Sequence, residues 1–150
     1  MKANAYGFYA LNGKNVIYFT ESSKAYDVCE FLEIVKEENK SDLIIFLDNS
    51  KTHHSKMTAK KAEQLDSILV FLPSYSPDLN PIEFIWKSIT KDISKVFIES
   101  ITQLRELIKE KFLELSKSKS FAKNWMIIFD EQIKKVINKQ VDAKLTLHPL

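Results

Sequence analysis

Leu72-Pro73-Ser74-Tyr75-Ser76-Pro77-Asp78-Leu79-Asn80-Pro81-Ile82-Glu83-Phe84-Ile85-Trp86-Lys87 is the most informative stretch of the chain. Its first half, from Pro73 to Asn80, reads as a rigid polar loop with no room for regular structure. Asn80 is a good helix N-cap. Pro81 suits the first helical position, where its missing N–H has no partner to lose. Ile82, Ile85, Trp86, Ile89 and Ile93 then fall at i, i+3, i+4, i+7 and i+11, the apolar stripe of a helix running to about Lys95.

Upstream of this stretch, Ile68 to Leu72 reads as a buried strand and residues 57–65 as a short helix. Leu43-Ile44-Ile45-Phe46-Leu47 is a continuous run of β-formers, suited to a strand buried on both faces. Asp48-Asn49-Ser50 follows at its C-terminal end. Tyr26, Cys29, Phe31, Leu32, Ile34 and Val35 recur at helical spacing, so residues 24–38 read as an amphipathic helix with Ser23 as its N-cap. Cys29 reads as a small buried hydrophobe. Two β-rich runs, Ala5 to Leu11 and Asn15 to Phe19, flank Asn12-Gly13 and predict a β-hairpin. Downstream, helices are expected over about 100–116 and 120–139, broken at Lys117-Ser118-Lys119-Ser120. The order of elements predicts an α/β architecture, with helices covering a mixed sheet in one domain of 150 residues.

Composition narrows the function classes. Apolar residues make 45% of the chain and charged residues 28%, with a net charge of +2. That excludes a histone-like polycation and an acidic solvating chain. With only Gly7 and Gly13, neither a Rossmann fingerprint nor a P-loop is possible. Cys29 is the single cysteine, so no internal disulfide or Cys-based zinc site can form. His53, His54 and His148 lack the spacing of zinc ligands. The longest apolar runs are about five residues, far short of the roughly 20 needed to span a membrane. No signal peptide is visible, and a cytoplasmic location is expected. The charge is unevenly spread. Residues 1–50 carry 5 lysines against 8 acids, whereas residues 101–150 carry 9 lysines and Arg105 against 6 acids. The basic C-terminal third suits a polyanion, or simply a solvated helical face.

Two carboxylates stand out. Asp48 ends the most buried-looking strand, and open α/β sheets place ligands beyond such strand ends. A turn made by Asp48-Asn49-Ser50 is the plainer explanation. Glu83 lies in the first turn of the helix whose start the proline-rich loop fixes, which would place it against the strand end bearing Asp48. It also suits a capping box with Asn80 and an i, i+4 pair with Lys87. Carboxylates from separate elements make a hard oxygen site suited to Mg²⁺ or Mn²⁺ and to two-metal phosphoryl transfer.

Leu47-Asp48-Asn49-Ser50-Lys51-Thr52-His53-His54-Ser55-Lys56 resembles the "DNA..H.." stretch of bacterial and archaeal insertion-sequence transposases of the mariner superfamily. Leu72 to Lys87 resembles their "LPxYSPxLNPIExxWxxxK" signature, which is long and specific. The 34 residues between Asp48 and Glu83 match the spacing of the second and third acids of the family's DDE triad. The match covers roughly residues 5–95. The resemblance implies an RNase H-like, retroviral-integrase-like fold, and a metal-dependent DNA cleavage and strand-transfer activity in transposition. It makes Asp48 and Glu83 the catalytic metal ligands, with Asn49, His53 and Asn80 in support. Lys56, Lys87 and Lys91 are candidate contacts to DNA phosphates at transposon ends and target, though each also reads as an ordinary surface lysine.

The family's first acid sits on a strand preceding the hairpin, and here the hairpin begins almost at Met1. The expectation is therefore a partial catalytic domain lacking that strand, with open edges between the hairpin and the Leu43–Leu47 strand. Weak or no activity alone is expected, and a two-metal site only if a third acid is supplied. An upstream transposase fragment, a homodimer or another partner chain would supply it. The alternative is a non-catalytic DNA-binding or regulatory fragment that pairs with a full-length transposase.

Overall fold

The computed structural model describes residues 3–72 and 80–125, together with 131 and 134. The chain runs β1 (Asn4–Phe8), β2 (Val16–Thr20), α1 (Ala25–Glu38), β3 (Leu43–Leu47), α2 (Lys56–Gln64), β4 (Ser67–Phe71), α3 (Pro81–Ile93) and α4 (Ile101–Leu115). A 3₁₀-helix over Lys119–Trp125 follows.

β1 and β2 pair antiparallel, from Asn4 opposite Thr20 to Phe8 opposite Val16. β3 and β4 pair parallel, from Leu43 beside Ser67 to Leu47 beside Phe71. The expected mixture of strand directions is present, but as two two-stranded ladders and not one continuous sheet among the described residues. β1 pairs only with β2 there, and β3 only with β4, matching the open edges expected between the hairpin and the Leu43–Leu47 strand.

Helices on two sides hold the ladders. Successive side chains of a strand point to opposite faces. On one face, Tyr6 and Phe8 of β1 and Val16 and Tyr18 of β2 pack with Phe31 and Val35 of α1. Val28 and Leu32 of the same helix pack with Ile45, Leu43 and Leu69 from the parallel ladder. On the other face of the hairpin, Ile17 and Tyr9 meet Ile82, Ile85, Ile89 and Phe112 of α3 and α4. Ile85 and Phe112 have no exposed surface. Burial of each contributes roughly 1.5–3 kcal/mol.

Several boundaries differ from expectation, most for a tertiary reason and the start of α1 for a local one. The predicted strand over Ala5–Leu11 stops at Phe8, because Tyr9 turns to the 3₁₀ segment, its hydroxyl donating to Ser118 O at 2.6 Å. Asn12-Gly13 is not a tight two-residue turn: the hairpin connection spans residues 9–15, and Gly13 does not have positive φ. Gly13 is required for another reason, since a Cβ there would run into the Asn39 side chain. Asn39 ends α1 and clasps the connection, its Oδ1 accepting from Lys14 N at 2.8 Å and its Nδ2 donating to Lys14 O at 3.1 Å.

α1 is capped at Lys24, not Ser23. The buried Asp27 carboxylate accepts from Lys24 N at 2.9 Å and from the Ser22 hydroxyl at 2.5 Å, which shifts the start by one residue. The expected helix over 120–139 begins as 3₁₀ structure, and its remainder lies outside the described residues apart from 131 and 134. The Pro73–Leu79 loop, with Tyr75, Ser76 and Asp78, also lies outside them. No described helix is long and apolar enough to cross a membrane.

Gly7 sets how closely the hairpin lies on α3. A Cβ there would stand 2.7 Å from Trp86, 2.9 Å from Phe112 and 3.0 Å from Ile82. Forcing a methyl into a packed core costs about 1–3 kcal/mol. Gly7→Ala is therefore expected to lower the unfolding free energy by that amount, seen as a lower urea midpoint with an unchanged m-value. An unchanged midpoint would mean that Trp86 and Ile82 can step aside.

Candidate metal and nucleic-acid site

Asp48 follows the last residue of β3, beside the end of the parallel ladder. Its carboxylate closes an Asx turn, Oδ1 accepting from Ser50 N at 3.1 Å. His53 comes back over the turn, its Nδ1 lying 2.8 Å from the same Oδ1 and 3.3 Å from Asp48 O. The bonds from Ser50 N and His53 Nδ1 fall on Oδ1, and 59% of the Asp48 side chain is exposed, so a face of the group stays open to a ligand. The hydrogen bond from His53 holds the Asp48 carboxyl below the usual range, with Ser50 adding to the effect and partial burial opposing it.

Glu83 reaches the site from the first turn of α3. Pro81 opens the helix, and the Asn80 side chain caps it by accepting from Ile82 N at 3.4 Å. Ile82, Ile85 and Ile89 are buried, which turns Glu83 aside from the core. Its carboxyl is pushed up, first by burial and then by the negative charge of Asp48, with Lys87 partly offsetting both. The charge of Asp48, 35 positions away in the chain, thus reaches Glu83.

The other predicted residues are distributed unevenly. Asn49 bonds the His54 ring through its Oδ1, and that ring stacks on Phe71 of β4, with centroids 3.7 Å apart. Lys87 stands over the exposed Phe84 ring at 5.5 Å, one turn from Glu83. Lys56 and Lys91 are exposed on α2 and α3.

Two neighbours escaped the sequence reading. Tyr6 of β1 has its hydroxyl pKa raised by burial and by the charges of Asp27 and Asp48, so it borders the site. Thr58 of α2 is fully buried and bonds the loop that carries His53. The Ser55-x-x-Thr58 spacing signals a helix start, but nothing local ties Tyr6 to Asp48.

Hard carboxylate oxygens suit Mg²⁺ or Mn²⁺. Asp48 and Glu83 supply that chemistry, although no three His, Cys, Asp or Glu side chains gather as a metal-holding group among the described residues.

A strand end carrying one oriented acid, with a second acid in a helix start whose pKa the first raises, defines a candidate carboxylate site on an α/β scaffold. Residues 1–105 match the family described as DDE superfamily endonuclease, and the chain belongs to that family. Solved structures similar to it include the Mos1 mariner transposase catalytic domain, at 16% identity and a TM-score of 0.60, covering 91% of this chain and 79% of that one. The Mos1 strand transfer complex aligns at 17% identity and a TM-score of 0.64, covering 88% of this chain and 40% of that one. The Mos1 catalytic domain with raltegravir and Mg aligns at 17% identity and a TM-score of 0.57, over 73% of this chain and 68% of that one. A further Mos1 structure carries Mn. At these identities the likeness establishes the fold, that of the RNase H-like transposase catalytic domain. No protein of curated function matches the chain.

The two acids are expected to titrate on opposite sides of their ordinary values. The lowered Asp48 pKa means that its contribution to stability is present above the ordinary aspartate value near 3.8 and is lost as pH falls through the folded value. The raised Glu83 pKa works the other way: stability is fully present below about the ordinary 4.5 and is lost as pH rises through the folded value. Carboxyl ¹³C NMR titration is the measurement. His53→Ala is expected to move Asp48 upward, and Asp48→Asn to move Glu83 downward while leaving the shift due to burial. If neither resonance moves, the two contacts are not what sets these values.

Proposed function

We propose that this chain is the metal-dependent DNA-cutting and strand-joining core of a transposase, acting in the cytoplasm on transposon ends and target DNA. The observation that carries the reading is the placement of Asp48 just past the end of β3 and of Glu83 in the first turn of α3, with the Asp48 charge raising the Glu83 pKa. Membership of the DDE superfamily endonucleases supports it.

In this reading Asp48 and Glu83 hold Mg²⁺ or Mn²⁺, which when bound supplies an activated water or 3′-hydroxyl and stabilises the leaving oxygen. His53 orients the Asp48 carboxylate, as hydrogen-bonded partners do for metal-ligating groups. Asn49 braces the same loop through His54, and Asn80 fixes the helix start that carries Glu83. Lys56, Lys87 and Lys91 take DNA phosphates, which position a duplex without reading its sequence. A third acid completes the site from a strand between β1 and β3, contributed by an upstream fragment, by a second copy in a homodimer or by another partner chain. The two-acid site among the described residues favours one further reading, a regulatory fragment that binds DNA and pairs with a full-length transposase without cutting.

Titration with Mn²⁺, followed by thermal shift and by water-proton relaxation, tests the metal assignment. Binding at micromolar to millimolar levels is expected, weakening as pH falls and Glu83 takes up its proton. Asp48→Ala or Glu83→Gln is expected to abolish it. Metal binding that survives both substitutions would sink the assignment, and no binding at all to the wild-type chain would favour the regulatory reading. DNA affinity tests the lysines. Each phosphate contact contributes about −0.9 to the slope of log K against log salt. Lys87→Ala with Lys91→Ala is expected to make the slope shallower by about two such steps, and an unchanged slope would remove both residues from the interface.

A further inference from the structure

We propose that the buried hydroxyl of Thr58 is the positioning group that holds the Asp48–Ser55 loop over the strand end, and so sets the orientation of the Asp48 carboxylate. The proposal rests on the metal-site reading above for its consequence, but not for its geometry. Thr58 is in the first turn of α2, has no exposed surface, and lies ten residues beyond Asp48.

The proton assignment at this point is forced. Thr58 has one hydroxyl hydrogen, and Thr52 O, 2.7 Å away, can only accept it. Ser55 Oγ lies 2.9 Å from Thr58 Oγ1 and therefore donates to it. Ser55 Oγ in turn accepts from Thr58 N at 3.1 Å, the N-cap bond of α2. Both hydroxyls are thus satisfied, and a loop carbonyl is pinned to a rigid helix. From Thr52 the order passes inward. Its Oγ1 is 3.3 Å from Ser50 Oγ, Ser50 N donates to Asp48 Oδ1, and His54 N donates to Ser50 O at 3.2 Å. His53, next to the pinned Thr52, then reaches Asp48 Oδ1. Without the Thr58 hydroxyl the Thr52 carbonyl would keep only the long bond from Ser55 N at 3.5 Å, so the short tie from the loop to α2 would be lost.

The chemistry predicts that the hydroxyl matters and the methyl does not. Thr58→Val keeps the volume and removes the donor, whereas Thr58→Ser keeps the donor and removes the methyl. Amide hydrogen exchange on the full chain without metal is the first measurement. Thr58→Val is expected to lower protection at Ser50, His53 and His54 by roughly threefold to tenfold, the range one net hydrogen bond supports. Protection in β3 and α1 is expected to hold, and Thr58→Ser to restore the loop. Mn²⁺ affinity is the second measurement, expected to weaken in Thr58→Val by a similar factor and to recover in Thr58→Ser. If Thr58→Val does not fold, Thr58→Cys takes its place, with similar volume and a weaker donor.

Unchanged loop protection in a folded Thr58→Val or Thr58→Cys chain would overturn the proposal. So would an equal loss in Thr58→Ser, since packing of the methyl would then be the cause. Absence of Mn²⁺ binding in the wild-type chain would refute the metal reading, while the exchange result would still decide the role of Thr58.

Discussion

A side chain at position 7 would meet Trp86, Phe112 and Ile82 at once, so the hairpin can lie this close to α3 only through a residue that has none. That approach fixes more than the core. It presses Ile82, Ile85 and Ile89 inward, and successive residues of a helix are rotated by about 100°. Glu83 is therefore turned out of the core. The start of α3 is fixed independently by the Asn80 cap and by Pro81. With both rotation and start determined, the placement of Glu83 on the side of α3 away from the core follows from packing.

The site that results is electrically unequal. Asp48 is largely exposed and held ionised by His53 and Ser50. Glu83 is partly buried, and both its surroundings and Asp48 disfavour its charge. A cation bound near Glu83 would relieve the repulsion from Asp48 and compensate the burial together. Lys87 supplies part of that compensation from one turn along α3, which is why it affects Glu83 without quenching the pair.

The elements legible in the sequence are those that local rules determine. α3 begins where Asn80-Pro81 says it does, and its stripe is buried as its spacing requires. β3 matches its apolar run over Leu43–Leu47, and α2 begins within a residue of expectation because Ser55 caps it. What was not legible depends on residues distant in the chain. Asn39 reaches across 25 positions to Lys14 and replaces a tight turn with a clasped loop. Tyr9 leaves its strand for Ser118, 109 positions away, whereas the start of α1 is moved locally, by Ser22 and Asp27 five positions apart. The same division runs through the site. Asp48 and Glu83 are marked as candidates by their motifs and the spacing between them, and His53 by its place in the motif. The approach of Tyr6 to Asp48 depends on how the hairpin packs against the parallel ladder. The grip of Thr58 depends on the path of the loop.

The two ladders share no backbone ladder among the described residues, so side-chain packing has to relate them. α1 makes the main tie, with Phe31 and Val35 on the hairpin and Val28 and Leu32 reaching Ile45 and Leu69. Ala122 of the 3₁₀ segment makes a second, touching Tyr9, Leu11 and Phe46 together. Apolar contact is non-directional, whereas a hydrogen-bonded ladder fixes spacing and register strand by strand. Tyr6 belongs to one ladder and Asp48 follows the other, so the site straddles the junction. Within each ladder its parts are held by backbone geometry, but across the junction by the shapes of side chains on α1. That is also why the loop after β3 carries so many internal bonds of its own: the position of Asp48 is secured locally, where the sheet around it cannot do so.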